Sequence, residues 1–279
     1  MFLLKRLFLL IPFLLVLPVL AHEFWLQPQQ YIFSRGEEIN IRFRVGEGFE
    51  GDNWSGNLEK VNELKLYYND IVDDLKHGLS KNPGDSLQVS IFEETTAMIT
   101  FNSVNSFIEL EAPKFNEYLL EDGLNPTIDY RKQNNETDSV GRELYQRSVK
   151  TIVQVGTNKT DIYKKQTTLP IDIIPLSHPY NLTNNQILKV KVLYKGLPLA
   201  NTKIRVWHKL PGTFTDSSFL SDANGEISFP VTTNGEWMVS CVHMIRVTDN
   251  TKAQWQSYWG SVTWGYTKNN SLLRPQRGN

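Results

Sequence analysis

Glu38-Ile39-Asn40-Ile41-Arg42-Phe43-Arg44-Val45 places an apolar side chain at every second position and a polar one between. Successive side chains of a strand point to opposite faces, so this octet has one face for a core and one for water. That is the pattern of an antiparallel sheet wetted on one side, not of a parallel sheet buried on both. Just upstream, Tyr31 and Phe33 alternate in the same way, and Ser34-Arg35-Gly36-Glu37 supplies the turn between the two runs. Just downstream, Gly46, Gly48, Gly51 and Gly56 break the pattern into a loop. Its acids, Glu50 and Asp52, lack the regular one-three-five spacing of a calcium cage.

Further along, Leu64, Leu66 and Tyr68 alternate again, and strands are expected at 86–91, 97–102 and 107–111, parted by Gly, Pro, Asn or Asp. The period then changes. Phe115, Leu119 and Leu120 predict a helix over 114–122, stopped by Gly123, and Leu144, Tyr145 and Val149 predict a second over 138–150, with a polar loop at 125–137 between them. A strand resumes at 152–155, and Pro170 and Pro175 confine another, at 169–175, to an edge or an end. Pro175 and Pro179 bracket a natural boundary, after which strands at 187–194, 203–208, 227–231 and 237–242 alternate with turns. The expected fold is mainly β, with two β-sandwich domains of Ig-like or transthyretin-like style. The first spans 22–175 with a short helical insertion, the second spans 176–266, and a loose tail follows at 267–279.

Ahead of the first strand, Lys5 and Arg6 precede an almost unbroken apolar run, Leu7 to Leu20, and Val19 and Ala21 suit the −3 and −1 sites of a signal peptidase. The run is short of the ~20 residues that span a bilayer. Residues 1–21 therefore read as a signal peptide, and the mature chain as soluble in a periplasm or outside the cell. The lone Cys241 excludes an internal disulfide framework and sits in a strand-like run that favours a buried, inert thiol. The formal charge of −1 on 279 residues falls by two when Lys5 and Arg6 leave, and carries no nucleic-acid footprint.

Cleavage after Ala21 makes His22 the first residue. A free N-terminal histidine offers its α-amine, with a pKa of about 8, and its imidazole to one ion, so a single residue closes a chelate ring. One more side chain completes a three-nitrogen set for nickel, cobalt, copper or zinc.

Several stretches taken together resemble an exported family of unknown function, DUF 4198. They are His22-Glu23-Phe24-Trp25-Leu26-Gln27-Pro28, Phe115-x-x-Tyr118-Leu119 with Gly123-Leu124, the run from Leu169 to Leu182, the Asp222-Ala223-Asn224-Gly225 turn, Gly235-x-Trp237, and Trp255-x-Ser257-Tyr258-Trp259-x-Ser261-x-Thr263. The resemblance covers nearly the whole mature chain. It implies a periplasmic component related to nickel or cobalt uptake, with His22 opening the mature protein and His243 standing where members tend to carry a histidine. His208 beside Trp207 is a third candidate ligand that no family motif supports.

The leading expectation is a non-enzymatic, exported metal-binding protein. His22, His243 and His208 would hold a nickel, cobalt or copper ion, and a membrane metal transporter would be the partner. Nitrogen ligands favour these ions over calcium or magnesium. Met244 neighbours His243 in a strand and points to the other face, and Glu23 or Asp249 is left to complete or orient the shell. His178 reads as a hinge or packing residue and His77 as a surface one. Two other readings compete. One is an interaction scaffold in which His22 is merely the residue after the cut. The other is a copper oxidative enzyme acting on a polymer, with Trp54, Trp207, Trp255, Trp259 and Trp264 as a sugar-stacking surface, against which stands ordinary core packing of the rings.

Overall fold

The computed structural model describes residues 23–54, 57–79 and 87–267; the expected signal peptide, His22 and positions 268–279 lie outside them. In chain order the first half runs β1 (Glu23–Pro28), β2 (Ile32–Phe33), β3 (Glu38–Glu47), β4 (Glu50–Asn53), β5 (Val61–Tyr68), β6 (Ile71–Asp74), β7 (Leu87–Ser90), β8 (Thr95–Ser103) and β9 (Ser106–Leu110). Two helices, α1 (Ala112–Glu121) and α2 (Asn125–Gln133), precede β10 (Gly141–Val155) and β11 (Ile171–Pro175). The second half adds β12 (Gln186–Tyr194), β13 (Leu197–Pro198), β14 (Lys203–Leu210), β15 (Thr213–Leu220), β16 (Glu226–Val231), β17 (Glu236–Arg246) and β18 (Trp255–Gly265). The fold is mainly β with a small helical insertion.

A large sheet runs β15-β14-β17-β18-β10-β8-β5-β6, with β2 and β9 also on β10. Two small sheets, β1-β3-β4 with β7, and β11-β12-β13 with β16, pack on its opposite faces. Phe24, Leu26, Ile41 and Phe43 meet Ile99, Phe101 and Val149 on one face. Ile173, Val190 and Phe229 meet Val206, Val239 and Val262 on the other. The alternating octet of β3 keeps its expected register, with Ile39, Ile41 and Phe43 buried.

The large sheet includes strands from both sides of the boundary expected at 175–176. β18 from the second half pairs in parallel with β10 from the first, so one sheet is continuous across both. Lys150 of β10 also forms a fully buried ion pair with Asp172 of β11, whose other carboxylate oxygen accepts from the Thr167 amide at 2.6 Å. Contact between the layers is close at Gly260, where a Cβ would stand 2.2 Å from Ile171 Cγ2.

α1 forms where a helix was expected, burying Phe115, Tyr118 and Leu119. The other two expectations in this region are reversed. The supposed loop at 125–137 contains α2, started by a proline in its first turn, where the missing N–H costs nothing. α2 buries only Thr127 and Arg131, too little to leave an apolar stripe in the sequence. The supposed helix at 138–150 is the start of β10. Val149 packs toward the β1 side and Lys150 toward β11, both faces being covered, so polar residues are buried on each and the period-two signal is lost.

Candidate functional site

β1 lies with one edge against the face of β18. The Ser261 hydroxyl donates to the Phe24 carbonyl at 2.7 Å and the Thr263 hydroxyl to the Leu26 carbonyl at 2.8 Å, so side chains satisfy the edge that β1 does not pair with a strand. The other edge pairs with β3 from Glu23↔Gly46 to Pro28↔Ile41. Alternate side chains then straddle β18. Phe24 packs on Phe101 and beneath the Arg147 guanidinium, while Trp25 closes against Phe49 and Trp207.

Glu23, the first described residue, is buried, and its carboxyl accepts from the Ser240 hydroxyl at 2.8 Å. Burial raises its pKa to about 7, against the lowering effects of Ser240 and Arg205. Arg205 reaches Glu121 at 3.4 Å and Asp122 at 3.8 Å beyond the end of α1. Asp122 is pushed up to about 8, first by burial and then by the negative charge of Glu23.

A third buried carboxyl group, Glu143 of β10, accepts from the Ser257 hydroxyl of β18 and from Tyr118 of α1 at 3.3 Å, and the Trp259 indole donates to Ser257 at 3.0 Å. Tyr118 stacks on Trp259 with centroids 5.8 Å apart. The second Glu143 oxygen, Oε2, has no hydrogen-bond partner, and burial raises the group to about 7 although Ser257, Tyr118 and Trp259 lower it. Orphaned buried polar atoms are uncommon in native proteins, and a buried carboxylate without a cation is costlier still.

The expected histidine ligands are placed elsewhere. His22 lies outside the described residues. His208 of β14 stacks on Trp237 at 3.9 Å and bonds the Asn234 carbonyl through Nε2 at 2.9 Å. His243 stands opposite Tyr258 and packs on Tyr194 at 4.4 Å, its pKa lowered by burial and by Lys195. Because Trp237, the partner of His208, is six positions from His243 along β17, the two imidazoles are separated by roughly 20 Å of strand. They do not share a site. Both also lie on the face of the large sheet that carries Trp237 and Cys241, opposite the face on which Ser240 meets Glu23. Asp249 is exposed beyond the end of β17. Among the described residues no group of three or more His, Cys, Asp or Glu is placed to hold a metal.

Cys241 is buried, and burial raises its thiol far above the usual range. His77 is exposed as expected, and His178 is a packing residue. Its Nε2 lies 2.9 Å from the Thr96 hydroxyl, its Nδ1 accepts from the Tyr180 amide, and its pKa falls to about 4 by burial and Lys159. Of the five rings of the oxidative reading, Trp207, Trp255, Trp259 and Trp264 are buried and Trp54 is half-buried against Phe24, Phe43 and Phe101, so they form no exposed stacking row among the described residues. The sequence reading missed Glu143, Asp122 and Arg205. The single hint was the polar alternation of Ser257, Ser261 and Thr263 between tryptophans, too hydroxyl-rich for a plain core strand.

The family model described as "Domain of unknown function (DUF4198)" matches residues 19–245. The chain belongs to that family. No curated protein matches the sequence. Among solved structures, this DUF4198 member is similar to dimeric latent PorU from Porphyromonas gingivalis at 9% identity, covering 86% of this chain and 20% of that one, with a TM-score of 0.20. It is similar to Escherichia coli alpha-2-macroglobulin activated by porcine elastase at 11% identity, covering 90% of this chain and 22% of that one, with a TM-score of 0.19. The chain thus spans about a fifth of each of these structures. Among its described residues, no helix of the DUF4198 chain is long and apolar enough to cross a membrane.

Proposed function

We propose that this chain is an exported protein that binds a nickel, cobalt or copper ion through its processed N-terminus, for metal uptake or delivery to a membrane transporter. The observation that carries the reading is Glu143, a buried carboxyl with an unpartnered oxygen, on the strand beside β18. β1 and β18 advance together, Phe24 over Ser261 and Leu26 over Thr263. Two positions before Ser261 on β18 stands Trp259, which shares Ser257 with Glu143. On this reading the mature α-amine and imidazole of His22 are the two nitrogens of the ligand set, and Glu143 is the oxygen that completes it and the charge that a dication balances. In the precursor the His22 nitrogen is an amide and no such ligand exists. His208 and His243 leave the ligand set because they lie on the other face of the large sheet.

The two small sheets, each laid on one face of the large one, support the finer reading of two sandwich-like units of Ig or transthyretin style, the first of which contains β1. The test is native mass spectrometry of the processed chain challenged with nickel, cobalt, copper and zinc, beside a variant with one residue added before His22 and a Glu143→Gln variant. Selective one-to-one binding, abolished by the extension and weakened by Glu143→Gln, is expected. Equal binding by all three, or none by any, sinks the reading, and an interaction scaffold then takes its place.

A further inference from the structure

The far end of β1 carries a second feature. A groove of 610 Å³ opens between the polar face of β1 and β3 and the start of β17, where Gln27, Asn40, Arg42, Arg44 and Glu236 line it. Its volume is that of a small-molecule site, about 300–1,000 Å³, but its lining is polar and holds no aromatic ring. Nothing there stacks a nucleobase or a sugar, and nothing suits a lipid chain.

Alternation along β3 puts Asn40, Arg42 and Arg44 on one face, and pairing sets Gln27 opposite Arg42. Arg44 is committed, donating from Nε to Gln27 and from Nη1 to Asn53, each at 3.0 Å. Gln27 in turn donates to Glu236 at 3.4 Å, which fixes the carboxyl at the groove wall. Two charges remain without an ionic partner. Arg42 is exposed and makes no ion pair or side-chain hydrogen bond among the described residues. Glu236 makes no ion pair there either, and burial raises its pKa against the opposing effects of Gln27 and Lys209. Lys209 itself is turned to Glu50, at 3.8 Å.

An unpaired guanidinium and an unpaired carboxylate in one groove select against simple ions. An anion meets Glu236 and a cation meets two arginines, whereas a ligand carrying both charges satisfies each. We propose that this groove binds a small zwitterion of the amino-acid or dipeptide kind, its carboxylate on Arg42, its ammonium on Glu236 and its amide or side-chain groups on Gln27 and Asn40.

Isothermal titration of the metal-free processed chain with a panel of free α-amino acids and dipeptides tests this, with N-acetylated and C-amidated forms of the best binder beside them. Saturable binding is expected for at least one member. Arg42→Ala, Glu236→Gln and either end cap should each weaken it by about tenfold or more, a loss of about 1.4 kcal/mol. Both side chains lie at the groove surface, so unchanged melting curves will show that the variants are folded. Absence of saturable binding across the panel, or equal binding of the N-acetylated form, overturns the proposal, the latter because it marks an anion site. The groove shares no residue with the proposed metal centre, so either can fail without the other.

Discussion

On the face of the large sheet that receives β11, Lys150 meets Asp172 one to one with no exposure to speak of, and the remaining Asp172 oxygen takes a backbone amide. On the face that receives β1 and α1, Glu23, Asp122 and Glu143 are all buried, and the ion pair among them is the 3.8 Å contact of Asp122 with Arg205. The first face resolves its charge within the fold. The second holds carboxyl groups that burial pushes to about 7 or 8, and that wait for a proton or a cation from elsewhere. Buried acids at such values collect at functional sites more than in scaffolds, which is why the proposed metal centre is put on the acid-rich face.

The contrast breaks most visibly if charge is removed from each face in turn. Lys150→Met strands Asp172 in the core and should cost about 3–5 kcal/mol by chemical denaturation. Glu143→Gln removes a charge that no cation balances, and should change the stability of the metal-free chain by no more than about 1 kcal/mol at neutral pH. Equal losses from the two would show that Glu143 is structural, and the distinction between the faces would go.

Asp122 sharpens the comparison through pH. Its carboxyl titrates near 8 when folded, against 3.8 when unfolded. Between those values the folded state holds a proton that the unfolded state lacks, so this group lowers stability as pH rises from about 4 and the full loss is present above about 8. The groups that act on it are Arg205 and Lys203, which oppose the shift, and Glu23 and Glu121, which add to it. Asp122→Asn should therefore flatten the decline in stability between pH 5 and pH 9, by up to about 4 kcal/mol in the difference between those ends. Thermal melts of both chains across that range would show an unchanged slope if Asp122 were ionised throughout.

Legibility in the sequence followed the same division of faces. Ile39, Ile41 and Phe43 announced their strand because one side of β3 is wet, and α1 announced itself because one side packs on the sheet. β10 gave no such signal, since Glu143 and Val149 on one face and Lys150 on the other are all buried and polarity no longer marks the outside. α2 was hidden for the opposite reason, having too little buried surface to imprint a period. The histidines misled because residue type was legible and facing was not: His208 and His243 suit a metal chemically, yet the register of β14 and β17 sets them far apart and turns them from β1. Glu143 needed the fold, because only the pairing of β10 with β18 brings it to Ser257 and Trp259.

The finest test of the comparison is at Ser261, where the hydroxyl joins β18 to the carbonyl of Phe24. Removing it by Ser261→Ala leaves a buried carbonyl without its donor and should cost about 1 kcal/mol, a small effect on the whole fold. Yet Phe24 is two positions from the proposed metal-binding terminus, and a looser β1 raises the entropy that must be lost when the terminus closes on an ion. Metal affinity should therefore fall by several-fold more in Ser261→Ala than in Thr263→Val, which releases β1 at Leu26, farther from the terminus, for a similar loss of stability. Competition titrations against a chelator of known affinity would read the ratio. Equal affinity in both variants would mean that β18 stabilises β1 without positioning its first residue, and the acid-rich face would then owe its carboxyls to something other than the N-terminus.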